Sequence, residues 1–358
     1  MGDNQNSRPE RMLDAGQALI NYDAILVTSF GGPESPDEVM PFLGNVLRGK
    51  NVPRERMLAV AEHYYHFGGK SPINNQNRQL IAALETELAQ HGPRLPIYWG
   101  NRNWHPMLTD TLRQMQADGV RRALAFVMSA YSSYSSWRQY REDIARAQEA
   151  TGEGAPVVDK IRVFHNHPGF VEAVADRLQH ALAKIPESRR EAAHLIYTAH
   201  SIPLAMAQGC DYEKQLKETS RLVAEELGRK DWWLVYQSRS GPASQPWLGP
   251  DILECLREIK ARERSSDVVI TPIGFVSDHM EILFDLDTQA RELCAELGLQ
   301  MVRAETVGTH PRFIRTIREL ICERLDQSQP RRALGVLGPR PDVCAFDCCP
   351  MPKRPTPS

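Results

Sequence analysis

Two similar doubly wound, Rossmann-like α/β lobes, each on a parallel sheet with a cleft between them, are the fold this sequence predicts. Three observations lead there. Short apolar runs alternate with helical patterns along the chain, as in a parallel α/β sheet. The two halves rhyme: each opens on a strand ending in small and polar residues before a proline (SFGGP at 29–33, AHSIP at 199–203). Each also has a late strand ending in hydroxyl or acidic residues (MSAYSSYSS at 128–136, GFVSDHME at 274–281). Finally, 358 residues exceed one ordinary domain and suit two.

Taken in order, residues 1–20 are polar, lack an apolar signal core and read as a flexible lead-in. A lobe over 21–183 takes strands at 23–30, 97–101 and 123–130, with helices at 74–90, 106–118 and 137–149. The stretch ALAKIPESRRE, around 181–190, reads as a linker. A second lobe over 184–309 takes strands at 194–201, 232–238 and 267–275, with helices at 212–228, 251–263 and 279–297. A helix over 312–325, within a segment 310–328, and a Pro- and Arg-rich tail over 329–358 complete the chain. In doubly wound sheets ligands lie beyond the carboxyl ends of the strands. The notable residues of this chain sit at those ends.

Composition narrows the function. A net charge of −2 gives no bulk attraction for nucleic acid or anionic membrane, and no apolar run is long enough to span a bilayer. A soluble cytoplasmic protein is expected. The seven cysteines are odd in number and absent before residue 210, which does not suit a disulfide framework.

Candidate chemistry begins at His200, where the apolar run HLIYTAH ends on an imidazole. The ring is either a hydrogen-bonded fixture of the strand end or a group facing a ligand. A second polar cluster, GFVSDHMEILFDLD, gathers Asp278, His279, Glu281, Asp285 and Asp287 at a strand-to-helix junction. Asp278 reads as the helix N-cap, with Glu281 in a capping-box-like position. A helical projection puts Ile282, Leu283, Leu286, Ala290 and Leu293 on one side and Glu281 with Asp285 on the other. Like charges one turn apart are mildly unfavourable unless a cation offsets them. Arg48, Lys50, Arg54, Lys70 and Ser71, interleaved with Tyr64, Tyr65 and Phe67, suit either a flat aromatic ligand bearing carboxylates or a solvated loop. SFGGPE lacks the third glycine of a dinucleotide fingerprint and the Lys-Ser/Thr of a P-loop, which argues against a nucleotide.

With LVTSFGGPE, FGGKSPIN, YWGNRNW, YTAHSIP, VYQSRSGP, PWLGPDI and GFVSDHMEILFDLD in this order, the chain resembles the ferrochelatases along most of residues 22–325. These are lyases of haem biosynthesis that insert Fe²⁺ into a porphyrin. SFGGPESPDEVMPFL followed by HYYHFGGKSPIN looks most like the bacterial branch that uses coproporphyrin III, the alternative being protoporphyrin IX. The resemblance implies a class II chelatase fold with a porphyrin cleft between the lobes and the helix at 312–325 packing back across them. It puts His200 and Glu281 at the two central catalytic and metal-handling positions, flanked by the polar positions His279 and Asp285. Phe30, Arg48, Ser71 and Tyr131 fall at porphyrin-binding positions. Phe30 stands where some relatives have Tyr, and Gln289 replaces an acid found in others. A neutral His200 could take a proton or bind iron, and Glu281 could carry protons through its neighbours. The lobe over 184–309 carries both; placed on different lobes, the two would address opposite porphyrin faces. A non-catalytic haem- or metal-binding or iron–sulfur sensing protein on the same scaffold should have lost one of them, and both are present. Other enzymes of the haem pathway are expected as partners.

Cys344, Cys348 and Cys349 crowd the tail in DVCAFDCCPMP, a soft-metal pattern that suits zinc or iron–sulfur. It looks like the C-x-x-x-C-C tail of ferrochelatases that carry a [2Fe–2S] cluster with one further, internal cysteine. The candidates for that ligand are Cys210, Cys255, Cys294 and Cys322. The last three sit in amphipathic helices, whereas Cys210 lies in the loop AQGCDY and is freer to ligate.

Overall fold

The computed structural model describes residues 21–50, 52–241, 244–262 and 265–352; the lead-in expected over 1–20 lies outside them. The first half runs β1 (Ala24–Ser29), α1 (Pro36–Val46), α2 (Arg54–His66), α3 (Ile73–His91), β2 (Ile97–Asn101), α4 (Leu108–Ala117) and β3 (Arg122–Val127). A π-helical turn (Tyr134–Arg138), α5 (Gln139–Thr151), β4 (Val157–Lys160), α6 (Pro168–Leu182) and α7 (Glu187–Arg190) follow. The second half runs β5 (His194–His200), α8 (Leu204–Ala207), α9 (Tyr212–Glu226), β6 (Trp233–Gln237), α10 (Ile252–Arg262) and β7 (Asp267–Thr271). It continues through α11 (Met280–Ile282), a second π segment (Leu283–Ala290), α12 (Arg291–Leu297), β8 (Gln300–Arg303) and α13 (Pro311–Leu325).

The rhyme in the sequence is a rhyme in topology. The strands form two four-stranded parallel sheets, ordered β2-β1-β3-β4 and β6-β5-β7-β8. Each sheet therefore has its opening strand inside, flanked by the next two strands, and its chain reverses direction around that strand. This reversal leaves a crevice at the carboxyl ends of β1 and β3 in one lobe, and of β5 and β7 in the other. All six residues of β1 are buried, as its near-continuous apolar run requires of a strand covered on both faces.

The edge strands β4 and β8 were not expected from the sequence. Each has four residues with little apolar alternation, because an edge strand meets the sheet on one side only. Helices α1, α2 and α6 were also missed. The stretch read as a linker holds the end of α6 and the single turn of α7. Among the described residues no helix is long and apolar enough to cross a membrane.

Two glycines shape the strand ends. Gly31, after β1, has φ +80°, and a Cβ there would come within 2.9 Å of the Asn101 side chain. Gly274, after β7, lies so close to β5 that a Cβ would fall 2.6 Å from that of Ala199. The lobes join through a shared core containing Phe126, Phe164, Phe170, Tyr197 and Phe313. Helix α13 packs on α3 and α6.

Candidate active site

Because β5 and β7 are neighbours in one sheet, the chain ends they release lie side by side. His200 closes β5, and the segment after β7 leads into α11, which carries Glu281. His200 Nε2 stands 3.6 Å from Glu281 Oε2, and His279 Nε2 stands 3.7 Å from the same oxygen. The contact sets His200 and Glu281 side by side, so the arrangement in which they face opposite sides of a porphyrin from different lobes does not arise. Both belong to the second lobe and approach the cleft from one side.

His200 is held from behind. Its Nδ1 faces the Ser201 carbonyl, its own carbonyl accepts from the Tyr212 hydroxyl at 3.1 Å, and Ser201 N donates to the Gln237 carbonyl at 2.8 Å. Burial opposes a charge on the ring, but the Glu281 carboxylate, the Ser201 carbonyl and Asp285 outweigh it and raise His200 to about 9. Burial likewise opposes the Glu281 charge, and His200, His279 and His63 hold that carboxyl at about 2. Each group of the ligand-free pair thus favours the charged form of the other. Glu281 is 49% exposed, so the pair lies on the open floor of the cleft and not in a sealed interior.

The helix start differs from its expected form. His279 is the N-cap, its Nδ1 accepting from Ile282 N at 3.3 Å, while Asp278 pairs with Arg303 at 3.2 Å. Arg303 also reaches Asp287 at 2.8 Å. The Asp278 carboxylate prefers a half-buried guanidinium to a backbone amide because the charge-assisted pair is the stronger bond.

One turn on, Asp285 accepts from Gln237 Nε2 at 3.2 Å and from the Ser238 hydroxyl. Burial, reinforced by Glu281, raises Asp285 to about 6 although the two donors oppose the rise. Ser238 has φ +61°, an uncommon conformation for a non-glycine residue, and it aims the hydroxyl at that carboxylate.

From the first lobe, α2 brings residues that sequence reasoning did not place at this site. The His63 ring stacks on Phe284 at 3.6 Å and 12°, and Arg56 donates to the Ser240 carbonyl, so α2 spans the cleft. Burial and the Glu281 charge raise the Tyr64 phenol far above its usual range. The aromatic content of HYYHF was visible in the sequence; its helix was not.

Phe30 is 37% exposed at the end of β1 and lies beside Phe42, 6.2 Å between centroids. Arg48 bonds Asn45, which donates to the Asn103 carbonyl at 3.0 Å; Asn103 in turn donates to the Phe30 carbonyl at 3.2 Å. One hydrogen-bonded chain thus ties Arg48 to the Phe30 loop. Ser71 is buried, its amide donating to the Pro33 carbonyl at 2.9 Å. Tyr131 departs from its expected porphyrin-facing place. It is 1% exposed in the shared core, and its hydroxyl crosses to the Ile273 carbonyl at 3.0 Å, a partner that a buried phenol needs.

The tail cysteines lie at a separate place. Cys348 and Cys349 are 3.2 Å apart at sulfur. Together with Cys210, Ser132, Asp211 and Arg340 they line a hollow of about 340 Å³. Cys344 accepts from Trp137 Nε1 at 3.2 Å and lies close enough to Cys348 for the two to interact. Of the four internal candidates, Cys210 is the one brought to the tail. Cys255 and Cys294 are buried in the second-lobe core, and Cys322 lines another hollow, beside Glu319. Three thiols line the hollow and Cys344 lies beside Cys348, a donor set whose chemistry fits an iron–sulfur group. Among the described residues no three acidic, His or Cys side chains stand together as a ready metal site.

Comparison with known proteins gives a consistent family. The ferrochelatase family pattern matches residues 22–325. A ferrochelatase of Rhodopirellula baltica is 59% identical over 338 residues, covering 94% of this chain and 96% of the relative. A coproporphyrin III ferrochelatase of Streptomyces coelicolor is 48% identical over 351 residues, covering 92% of this chain and 93% of that one. Among solved structures, the sirohydrochlorin chelatase SirB of Bacillus subtilis superposes with a TM-score of 0.51 at 13% identity, covering 87% of this chain and 98% of its own. At that identity the likeness is one of fold, and the two-lobed chelatase fold is shared.

Proposed function

The chain belongs to the ferrochelatase family, and from that premise we propose that it inserts Fe²⁺ into coproporphyrin III, yielding coprohaem, as a cytoplasmic enzyme. The observation that carries the reading is the contact of His200 with Glu281, 3.6 Å apart at the crevice where the second sheet reverses. The choice of porphyrin is supported by the relatives named coproporphyrin III ferrochelatases, 48–49% identical to this chain.

The reaction takes one ferrous ion and a porphyrin with two pyrrole protons, and releases the metalloporphyrin and two protons. We assign the proton traffic to the carboxylates. Glu281, ionised in the free site, receives a proton at Oε2, and Asp285, poised near neutrality, passes it outward past Ser238. His200 must shed its own proton before it can ligate the metal or accept from a pyrrole. An arriving dication beside Glu281 opposes the imidazolium and favours that loss. His279 caps α11 and holds Glu281 in place. Phe30, on the opposite lobe, supplies an aromatic wall, and Arg48 a cation for the carboxylates of the macrocycle.

We also propose that Cys210, Cys344, Cys348 and Cys349 hold a [2Fe–2S] cluster. When bound, such a cluster supplies a one-electron couple and cross-links the tail to the second lobe through Cys210. Metal insertion itself needs no net electron transfer, so the cluster takes no part in that step.

The test is anaerobic Fe²⁺ insertion followed by absorbance, with coproporphyrin III and protoporphyrin IX offered separately. Faster turnover of coproporphyrin, falling roughly 100-fold or more in His200→Ala, is expected. Preference for protoporphyrin would remove the substrate assignment and keep the enzyme. A folded His200→Ala protein with unchanged rate would remove the assignment of His200.

A further inference from the structure

Beside the tail thiols lies a cation without an anion. Lys160 ends β4, and its Nζ donates to the Trp137 carbonyl at 2.9 Å while sitting 3.6 Å from the centre of the Trp137 ring. Among the described residues no carboxylate pairs with it. The charged or chargeable groups acting on it are Cys344, Cys348 and Cys349, together with Arg141, which repels it. Burial lowers Lys160 to about 7, because an ammonium held away from water is costly unless an opposite charge sits nearby, and an anionic centre beside it would restore the full charge. Trp137 turns its N–H to Cys344 Sγ. Arg138 donates to the Cys348 carbonyl at 3.3 Å, and Arg141 donates to the carbonyls of Ala345 and Phe346 at 3.3 and 2.8 Å. Arg138 is answered by Glu142 at 2.9 Å, which leaves Lys160 and Arg141 beside a segment whose thiols, when protonated, carry no charge.

We propose that Lys160, seated on Trp137, is the counter-cation of an anionic metal–thiolate centre at Cys210, Cys344, Cys348 and Cys349, and that it sets the centre's reduction potential and retention. The inference rests on the cluster reading above and extends it to a residue outside the ligand set. A [2Fe–2S] centre with four thiolates is a dianion when oxidised and a trianion after taking one electron. A fixed positive charge stabilises the reduced form more than the oxidised one and raises the potential. The Trp137 N–H to Cys344 acts in the same direction, by drawing charge from the sulfur. Lys160 is therefore a positioning residue toward the centre and touches neither porphyrin nor substrate iron.

The experiment uses the full chain, isolated anaerobically, as wild type, Lys160→Met, Lys160→Arg and Trp137→Phe. Iron and acid-labile sulfide are counted. The midpoint potential is found by titration with dithionite through mediators, followed by visible absorbance and the paramagnetic resonance signal of the reduced form. Bleaching by a chelator is timed. Lys160→Met should shift the potential negative and bleach roughly 10-fold faster. Lys160→Arg should recover most of both, and Trp137→Phe should shift the potential the same way by less. If Lys160→Met carries iron and sulfide with the wild-type potential and bleaching rate, Lys160 has no such role, while the cluster reading stands. If wild type itself lacks sulfide and the visible band, the cluster reading fails and takes this proposal with it. Should Lys160→Met not fold, a wild-type potential and bleaching rate in Trp137→Phe would count against the proposal, because that variant removes both the indole seat of Lys160 and the N–H to Cys344.

Discussion

Ser238 shows how one side chain adjusts another. Its backbone is held at φ +61°, which costs about 1 kcal/mol or more, and its hydroxyl meets Asp285 as a result. The hydroxyl favours the ionised carboxylate, opposing the burial that raises Asp285 to about 6. Ser238→Ala keeps the backbone strain and removes the donor, so the Asp285 pKa rises further. If ionised Asp285 relays protons, the acid limb of the pH profile of kcat/KM moves to higher pH, and a limb that stays in place counts against the relay. Arg303 is a second case. It alone joins Asp278 to Asp287, and Arg303→Met leaves two half-buried carboxylates without it. A loss of roughly 2–3 kcal/mol in urea unfolding is expected, below the cost for fully buried pairs because solvent reaches all three groups. Neither residue was legible as such. The sequence names a serine after one strand and an arginine at the end of another, while their partners lie 47 and 25 positions away. His200 and Glu281 were legible because polar residues at the end of apolar strands break a pattern.

At the scale of elements, the helix read over 279–297 is interrupted by the π segment Leu283–Ala290. Nothing in the spacing announced it: Ile282, Leu286 and Ala290 are buried at four-residue intervals, which an α-helix also puts on one face. The π segment widens the turn locally, and its apolar series still faces the second-lobe core. Helix α2 escaped notice for a different reason: only Ala61 among its residues is buried, so its sequence lacks a clear apolar stripe. What it does instead is span the cleft, through His63 on Phe284 and Arg56 on Ser240. Phe284→Ala removes the stack, worth about 1 kcal/mol. Faster amide exchange confined to α2 and a KM for porphyrin changed roughly fivefold are expected, with kcat nearly retained. Unaltered exchange in α2 would show that the stack does not hold it.

Across the whole molecule, the rhyming strand ends gave the two lobes, but their junction lies in residues whose partners are remote. Buried Arg162 forks onto Glu323 of α13 at 2.8 and 2.9 Å and donates to the Arg332 carbonyl of the tail. Asn166 donates to the carbonyls of Leu334 and Gly338, and Thr219 of the second lobe donates to the His165 carbonyl. First lobe, second lobe and tail therefore meet around the sequence RVFHNHP, which shows no periodicity that would mark it as core. Two histidines are sealed there. Burial lowers His165 and His167 to about 3, helped by Arg340 and Arg162 at the first and by Arg162, Arg332 and Arg312 at the second. Glu319 stands 3.4 Å from His167 Nε2 and offers a partner to a proton there, so His165, whose ring nitrogens have no protein partner, should dominate. The sign follows from proton counts. Below about 6.5 the unfolded chain protonates these rings and the folded one does not, so stability falls as pH drops from that value toward about 3. The limiting slope is about 1.4 kcal/mol per pH unit for each ring. Unfolding in urea between pH 7.5 and 4.5 should show this loss, and His165→Leu should flatten it whatever it does to stability at neutral pH. An equal slope in the variant would mean that acid sensitivity arises elsewhere, and that the lobe junction does not hold His165 neutral.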